Sequence, residues 1–243
     1  VPTALVTGGG VRVGRAIVLA LARAGFDVVV HANRNVEAAE RTKAEVEALG
    51  RRAWVEAADL ATPEGPVWLA ERVRAAHPRL ELLVNNAAAY EHVDFADITR
   101  LHFDRMLAVN VAAPFFLTQA LLPALRAAAG EAAVINITDM AVSHTYTPTH
   151  FFSHYLASKG ALEQLTRAWA LELGPAIRVN AVAPGPVAMA SDTTEAQRAD
   201  ILKRVPMKRE GRPEDVADAV VFLARSPYVT GQTLRVDGGL SVS

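Results

Sequence analysis

Short apolar runs alternate with longer amphipathic stretches along the whole chain. The runs Ala4–Thr7, Asp27–His31, Ala53–Ala57, Leu82–Asn85, Ala132–Ile137, Ile177–Ala183 and Thr233–Val236 are rich in valine, isoleucine, leucine and alanine and predict strands. Between them, Arg15–Ala24, Val36–Leu49, Glu64–Ala76, Phe103–Ala129, Tyr155–Leu173 and Pro213–Arg225 carry the period of helices. Gly25, Gly50 and Gly174 follow three of these patterns, where a helix is expected to stop. Strands that are apolar on both faces cannot be half-solvated, so they belong in a parallel sheet covered by helices on each side. No linker, repeat or low-complexity stretch divides the pattern, which predicts one doubly wound α/β domain over residues 1–243.

Residues 188–205 break this rhythm. They are polar, follow the turn Pro184-Gly185-Pro186 and have weak periodicity. Such a segment is either a substrate lid or an exposed helix that packs poorly, and the sequence leaves both open.

Composition narrows the function classes. With 51% apolar and 21% charged residues the chain can bury a large core. A net charge of −1 without a basic stripe argues against nucleic acid as a partner. The absence of cysteine excludes disulfides, thiolate nucleophiles and cysteine-ligated metals, and suits a reducing cytoplasm, the expected location. No charged leader precedes Ala4-Leu5-Val6, and no uncharged apolar run reads as a bilayer span, so neither signal peptide nor membrane anchor is expected.

The first strand runs into Thr7-Gly8-Gly9-Gly10-Val11-Arg12-Val13-Gly14 and then a helix. Glycines at a strand-to-helix turn let backbone approach a pyrophosphate, which then sits on the helix N-terminus. An ordinary tight turn is the competing reading. The second strand ends in Asn33-Arg34-Asn35, where a site for NAD would carry a carboxylate for the ribose hydroxyls. Arg34 instead suits a 2′-phosphate, with Arg12 as a second cation, so NADPH is expected over NADH. Asp59, after the third strand, is placed to accept from an adenine amino group or to cap the next helix.

Tyr155 and Lys159 lie one helical turn apart and face the same side. A neighbouring ammonium favours phenolate over phenol, which would bring the tyrosine into acid–base use near neutral pH. The pair can pass a proton to a carbonyl oxygen or imine nitrogen while a nicotinamide delivers hydride. A surface tyrosine packed on a lysine stem is the bland alternative.

The turn Thr7–Gly14, the strand end Asn85-Asn86-Ala87, Asn110, the Tyr155/Lys159 pair, Pro184-Gly185 and the tail Arg235-Val236-Asp237-Gly238-Gly239 occur in an order that resembles the short-chain dehydrogenases/reductases. The likeness spans essentially the whole chain. It implies a Rossmann-type sheet of about seven strands, an Asn-Ser-Tyr-Lys tetrad and a homotetramer. By the same likeness Gly8, Gly10, Val13, Gly14, Leu60, Asn86, Ala87, Tyr155, Lys159, Pro184 and Gly185 join Arg12, Asn33, Arg34, Asn35 and Asp59 around the cofactor. It also implies that Asn110 holds a relay water and that Lys159 bonds the nicotinamide ribose.

Two positions depart from the family pattern. Thr138-Asp139 stands where two serines are usual, and Arg12 stands where the middle glycine of the turn is usual. Both resemble the pteridine reductase and dihydromonapterin reductase branch, as does Tyr90 after Asn86-Ala87-Ala88-Ala89, where an aromatic stacks on the pterin. That likeness implies Asp139, Tyr155, Lys159 and Asn110 as the catalytic set, and Arg12, Tyr90, Asp139 and Tyr155 around the substrate. The segment from Asp139 to Tyr155 is long for the family, and Ser143 competes with Asp139 for the serine position; Asp139 is preferred because the strand aligns without a gap up to it. The alternative function is reduction of a carbonyl, as in a 3-oxoacyl-carrier-protein reductase or a sugar or alcohol dehydrogenase. His144, His150 and His154 crowd one loop without a nearby acidic partner, so structural or substrate-lining roles are preferred to metal binding. Trp54, Trp68 and Trp169 are expected as packing residues, and Phe115 and Phe116 as intersubunit contacts by resemblance.

Overall fold

The computed structural model describes residues 1–128, 132–143, 153–189 and 193–242. Its strands are β1 (Thr3–Val6), β2 (Asp27–Ala32), β3 (Ala53–Ala57), β4 (Leu82–Asn85), β5 (Ala132–Ile137), β6 (Ile177–Pro184) and β7 (Thr233–Val236). All pair in parallel, in the order β3-β2-β1-β4-β5-β6-β7. Val6 is level with Val30 on one side and Val84 on the other, so β1, β2 and β4 end within two residues of one another. The chain winds outward from β1 to β3, then crosses back to β4. At that reversal the loops diverge and leave a crevice at the carboxyl ends of the strands, where open α/β sheets bind ligands.

The helices are α1 (Arg12–Arg23), α2 (Val36–Ala48), α3 (Gly65–Ala76), α4 (Arg100–Leu107), α5 (Ala113–Arg126), α6 (Ser153–Glu172), α7 (Glu195–Arg204) and α8 (Pro213–Arg225). Successive strand residues face opposite sides, and the two faces bury separate cores. Val28 and Val30 join Ile17 and Leu21 of α1 and Val216 and Val220 of α8. Val29, between them, joins Leu69 of α3, Leu117 and Leu121 of α5 and Trp169 of α6. This alternation explains why the strands read as unbroken apolar runs.

Three expectations change. The helix expected from Phe103 begins at Arg100 and is interrupted by a π turn at Ala108–Ala112; Ala129, its expected end, lies outside the described residues. This stretch, Arg100–Arg126, contains an 18-residue window of mean hydropathy 1.5, enough by length and composition to cross a membrane, which the sequence reading overlooked. Its Leu117, Leu121 and Leu125 are nevertheless fully buried in the core, which accounts for its apolarity without a bilayer. Trp68, expected as packing, is 60% exposed on α3, because the inner stripe of that helix is taken by Leu69, Ala70 and Val73.

Candidate active site

A cavity of about 1380 Å³ opens at the crevice. Its cofactor end begins at the glycine turn between β1 and α1. A Cβ on Gly14 would lie 2.0 Å from the Gly8 carbonyl oxygen, so only glycine lets the helix start this close to the turn. Arg12 holds φ +49, the left-handed backbone of a glycine, which explains why the resemblance puts one there. Its guanidinium donates across the cavity to the Ala188 carbonyl. The turn is laced to the next loop by buried side chains: Ala87 N–H donates to Thr7 Oγ1 at 3.0 Å, and Asn86 Nδ2 donates to the Thr7 carbonyl at 2.8 Å.

At the end of β2, Asn33 and Arg34 line the cavity, as do Asp59 and Leu60 beyond β3. Asn33 Nδ2 donates to Asp59 Oδ1 at 3.1 Å. The guanidinium of Arg34 has no hydrogen-bond or ion-pair partner among the described residues. Two expected cofactor contacts lie elsewhere. Gly10 turns its Cα toward α2, where a Cβ would meet Ala39 N at 2.9 Å. The Asn35 side chain accepts from Ala38 N–H at 3.1 Å and caps α2.

The floor of the cavity is made by β5 and α6. Asp139, in extended backbone just past β5, is fixed by accepting from Ala141 N–H at 2.9 Å. Its second oxygen accepts from Tyr155 Oη at 3.1 Å. Lys159, one turn along α6, donates to the Ile137 carbonyl at 2.8 Å, with Nζ 5.9 Å from the centre of the Tyr155 ring. Tyr90 stands edge-on to Tyr155, ring centres 5.0 Å apart. Ser143 does not line the cavity; it accepts from Arg235 Nε at 3.0 Å instead, so the contact to Tyr155 is made by Asp139. Asn110, fully buried in the π turn, uses its amide on the chain itself. It accepts from Ala89 N–H at 2.8 Å and donates to Ser158 Oγ, whose hydroxyl donates to the Tyr155 carbonyl. The side chain thereby ties the loop before Tyr90 to the helix that carries Tyr155.

The family profile described as Enoyl-(Acyl carrier protein) reductase matches residues 10–241. A curated relative, "Short-chain dehydrogenase/reductase FrzI" from Cladobotryum sp, is 37% identical over 98% of this chain and 95% of its own length. The chain belongs to the short-chain dehydrogenase/reductase family. Among solved structures, acetoin dehydrogenase from Enterobacter cloacae matches with TM-score 0.88 and 35% identity over 99% of this chain and 96% of that one. A blue fluorescent protein from a metagenomic library, in complex with NADPH, matches with TM-score 0.91 and 32% identity over 99% and 98%. As a short-chain dehydrogenase/reductase this chain is an oxidoreductase of a nicotinamide cofactor. The close Gly8–Gly14 approach fits that group, because it leaves bare backbone where a pyrophosphate must come near.

Electrostatics in this short-chain reductase differ from the expectation for Tyr155 and Lys159. Burial, and then the adjacent Asp139 carboxylate, push the Tyr155 phenol well above 10. Burial lowers Lys159 to about 8 and raises Asp139. Burial of the ring is the larger cause of the Tyr155 shift, and the Asp139 carboxyl that accepts from its hydroxyl adds to it. The phenol is therefore protonated at neutral pH.

Sequence reasoning missed His31. It is buried at the end of β2, accepts from Gly8 N–H at 3.2 Å through Nδ1, and places Nε2 3.0 Å from the Ala58 carbonyl. Accepting at one nitrogen and donating at the other requires the neutral ring, and burial lowers its pKa to about 4. The available signal was one polar residue closing the apolar run Val28-Val29-Val30. Also missed were the cavity-lining residues of α4 and α7. Within 188–205, residues 190–192 lie outside the described set, and α7 follows as a helix without a fully buried residue. Glu210 accepts from both Met189 N–H and Arg198, joining the start of this segment to α7. His144 and His150 lie outside the described residues, while His154 is buried on α6.

Proposed function

We propose that this chain reduces a pterin-like C=N bond with NADPH. The observation that carries the reading is the Asp139 carboxyl 3.1 Å from Tyr155 Oη, at the cavity floor beside the Tyr90 ring. A carboxyl can bond a ring nitrogen of a flat heterocycle, and an aromatic edge beside it favours such a ring over a flexible chain.

Gly8, Val13, Gly14, Asn86, Ala87, Pro184 and Gly185 would hold the cofactor backbone, with Asn33, Asp59 and Leu60 around its adenosine. The unpaired Arg34 supports NADPH, since a 2′-phosphate would give its guanidinium the partner it lacks. When bound, the cofactor supplies the hydride. Tyr155 gives its phenolic proton to the substrate nitrogen. Asp139 accepts from Tyr155 Oη and orients the phenol. Lys159 holds positive charge beneath the ring, which stabilises the phenolate formed in transit. Asn110 sets the position of α6 through Ser158.

The decisive test is NADPH oxidation with 7,8-dihydrobiopterin, dihydrofolate and an acetoacetyl thioester, for the native chain and Asp139→Ser. Pterin turnover that falls in the variant supports the reading. Thioester turnover that the variant keeps or improves supports a carbonyl reductase instead. That second reading is favoured by the similarity to acetoin dehydrogenase, and Tyr155 would then protonate an oxygen. A homotetramer is also proposed, supported by Phe116 on α5 and Leu171 on α6, which leave large apolar surface exposed; light scattering measures it.

A further inference from the structure

One face of α4, continued by the first residue of the π turn, looks into the cavity. Leu101, Asp104, Arg105 and Ala108 all line it, and their spacing of three and four residues makes them a single helical stripe. Two of the four are apolar. Asp104 is already neutralised by Arg100, whose Nε donates to both carboxylate oxygens at 2.7 and 2.8 Å. Arg105 is different: its guanidinium has no hydrogen-bond or ion-pair partner among the described residues. Among the described residues, α7 lines the opposite rim with the uncharged Gln197 and Ile201.

A helix-end explanation does not account for this cation. A basic residue in a last turn is favourable where carbonyls are left open. Here the helix continues through the π turn into α5, so no such terminus exists at Arg105. Arg34 cannot share its ligand either. Arg34 follows β2, on the far side of β1, whereas α4 follows β4 and packs on α6, the helix that carries Tyr155. Among the described residues, the cavity thus has an unspent cation at its cofactor end, Arg34, and another at its substrate end, Arg105.

We propose that Arg105 binds an anionic group, carboxylate or phosphate, on the arm of the substrate that leads away from the reacting bond. Its exposed position at the rim, above the floor formed by Asp139 and Tyr155, suits a tail and not the reacting ring. Within the pterin reading this selects a substrate of the dihydrofolate kind, with its glutamate carboxylates, over an uncharged dihydropterin. The inference rests on the pterin reading only for that choice of first probe.

The test compares matched substrates with and without the anion, on the full chain with NADPH. The pairs are dihydrofolate against 7,8-dihydrobiopterin, and acetoacetyl-CoA against the acetoacetyl thioester of N-acetylcysteamine. For the pair that turns over, kcat/KM favours the anionic member by about fivefold, the upper range for an exposed ion pair, and added salt erodes the preference. Arg105→Gln abolishes it through KM with kcat held, and Arg105→Lys keeps most of it. A native enzyme without the preference, or an Arg105→Gln variant that slows both members equally, overturns the proposal. If the preference appears only in the thioester pair, the role of Arg105 stands and the pterin reading falls. If none of the four is turned over, both fall.

Discussion

The two ends of the cavity are built on different principles. At the cofactor end, backbone faces the ligand space and side chains behind it hold it there: Thr7 and Asn86 tie the glycine turn to the loop after β4, and the buried His31 accepts from Gly8 N–H. At the substrate end, side chains on α4, α7 and the loop through Tyr90 face the ligand space, and polar contacts near the surface hold them. A backbone site for a fixed ligand tolerates little change, whereas a side-chain site on peripheral elements can be respecified by one substitution. Substitutions at the cofactor end should therefore cost binding or stability outright, and those at the substrate end should shift KM.

The largest effect is expected where both ends meet. Tyr155→Phe removes the proton donor and lowers kcat by about a thousandfold, within the usual range for general acid catalysis. NADPH binding, followed by fluorescence, stays intact; a variant that kept turnover would remove Tyr155 from the mechanism.

Gly14→Ala tests the cofactor end. With a Cβ forced against the Gly8 carbonyl, the turn must shift, and overpacking of this kind costs about 1–3 kcal/mol, or roughly 5–150-fold in NADPH affinity if it falls on the bound state. Titration of NADPH fluorescence reads the loss directly, and unchanged affinity would mean that the close approach is not used.

His31 gives the same end a pH signature. Its folded pKa of about 4 lies below the unfolded value of 6.5, so between these the unfolded chain binds the extra proton. Its contribution is complete above pH 6.5 and is lost as pH falls toward 4, by about 3 kcal/mol in all. Denaturant melts at pH 7.5 and pH 5 should show part of this loss in the native chain and less of it in His31→Gln.

The smallest effect belongs to the substrate end. Glu210→Ala releases Met189 and Arg198, and the loss of a partly exposed ion pair should raise substrate KM about threefold while leaving NADPH affinity alone. An equal loss of NADPH affinity would show that the two ends are not separable.

Much of this contrast was legible before any coordinates. The parallel sheet followed from strands apolar on both faces, and the glycine turn from residues that only a special backbone demands. The Tyr155/Lys159 spacing placed both on one face of a helix. Asp139 was chosen over Ser143 by counting along β5, and it is the residue within hydrogen-bond reach of Tyr155. The Tyr155 shift runs opposite to the expectation because the ring is buried and Asp139 lies beside it, and spacing along α6 reveals neither. Likewise Asn35 reads as a ligand residue beside Arg34, until α2 is seen to need its cap.

The sequence by itself determined those properties that are local or periodic: which segments are strands and helices, where the backbone must turn tightly, and which side chains share a helical face. Only the tertiary structure decided which groups from distant segments meet. His31 reaches Gly8 across 23 positions, Arg12 reaches Ala188 across 176, and Arg105 faces the cavity without a partner among the described residues. The physical reason is that dihedral preference and hydrophobic period act over a few residues. Charge pairing and burial depend on what the folded chain brings alongside.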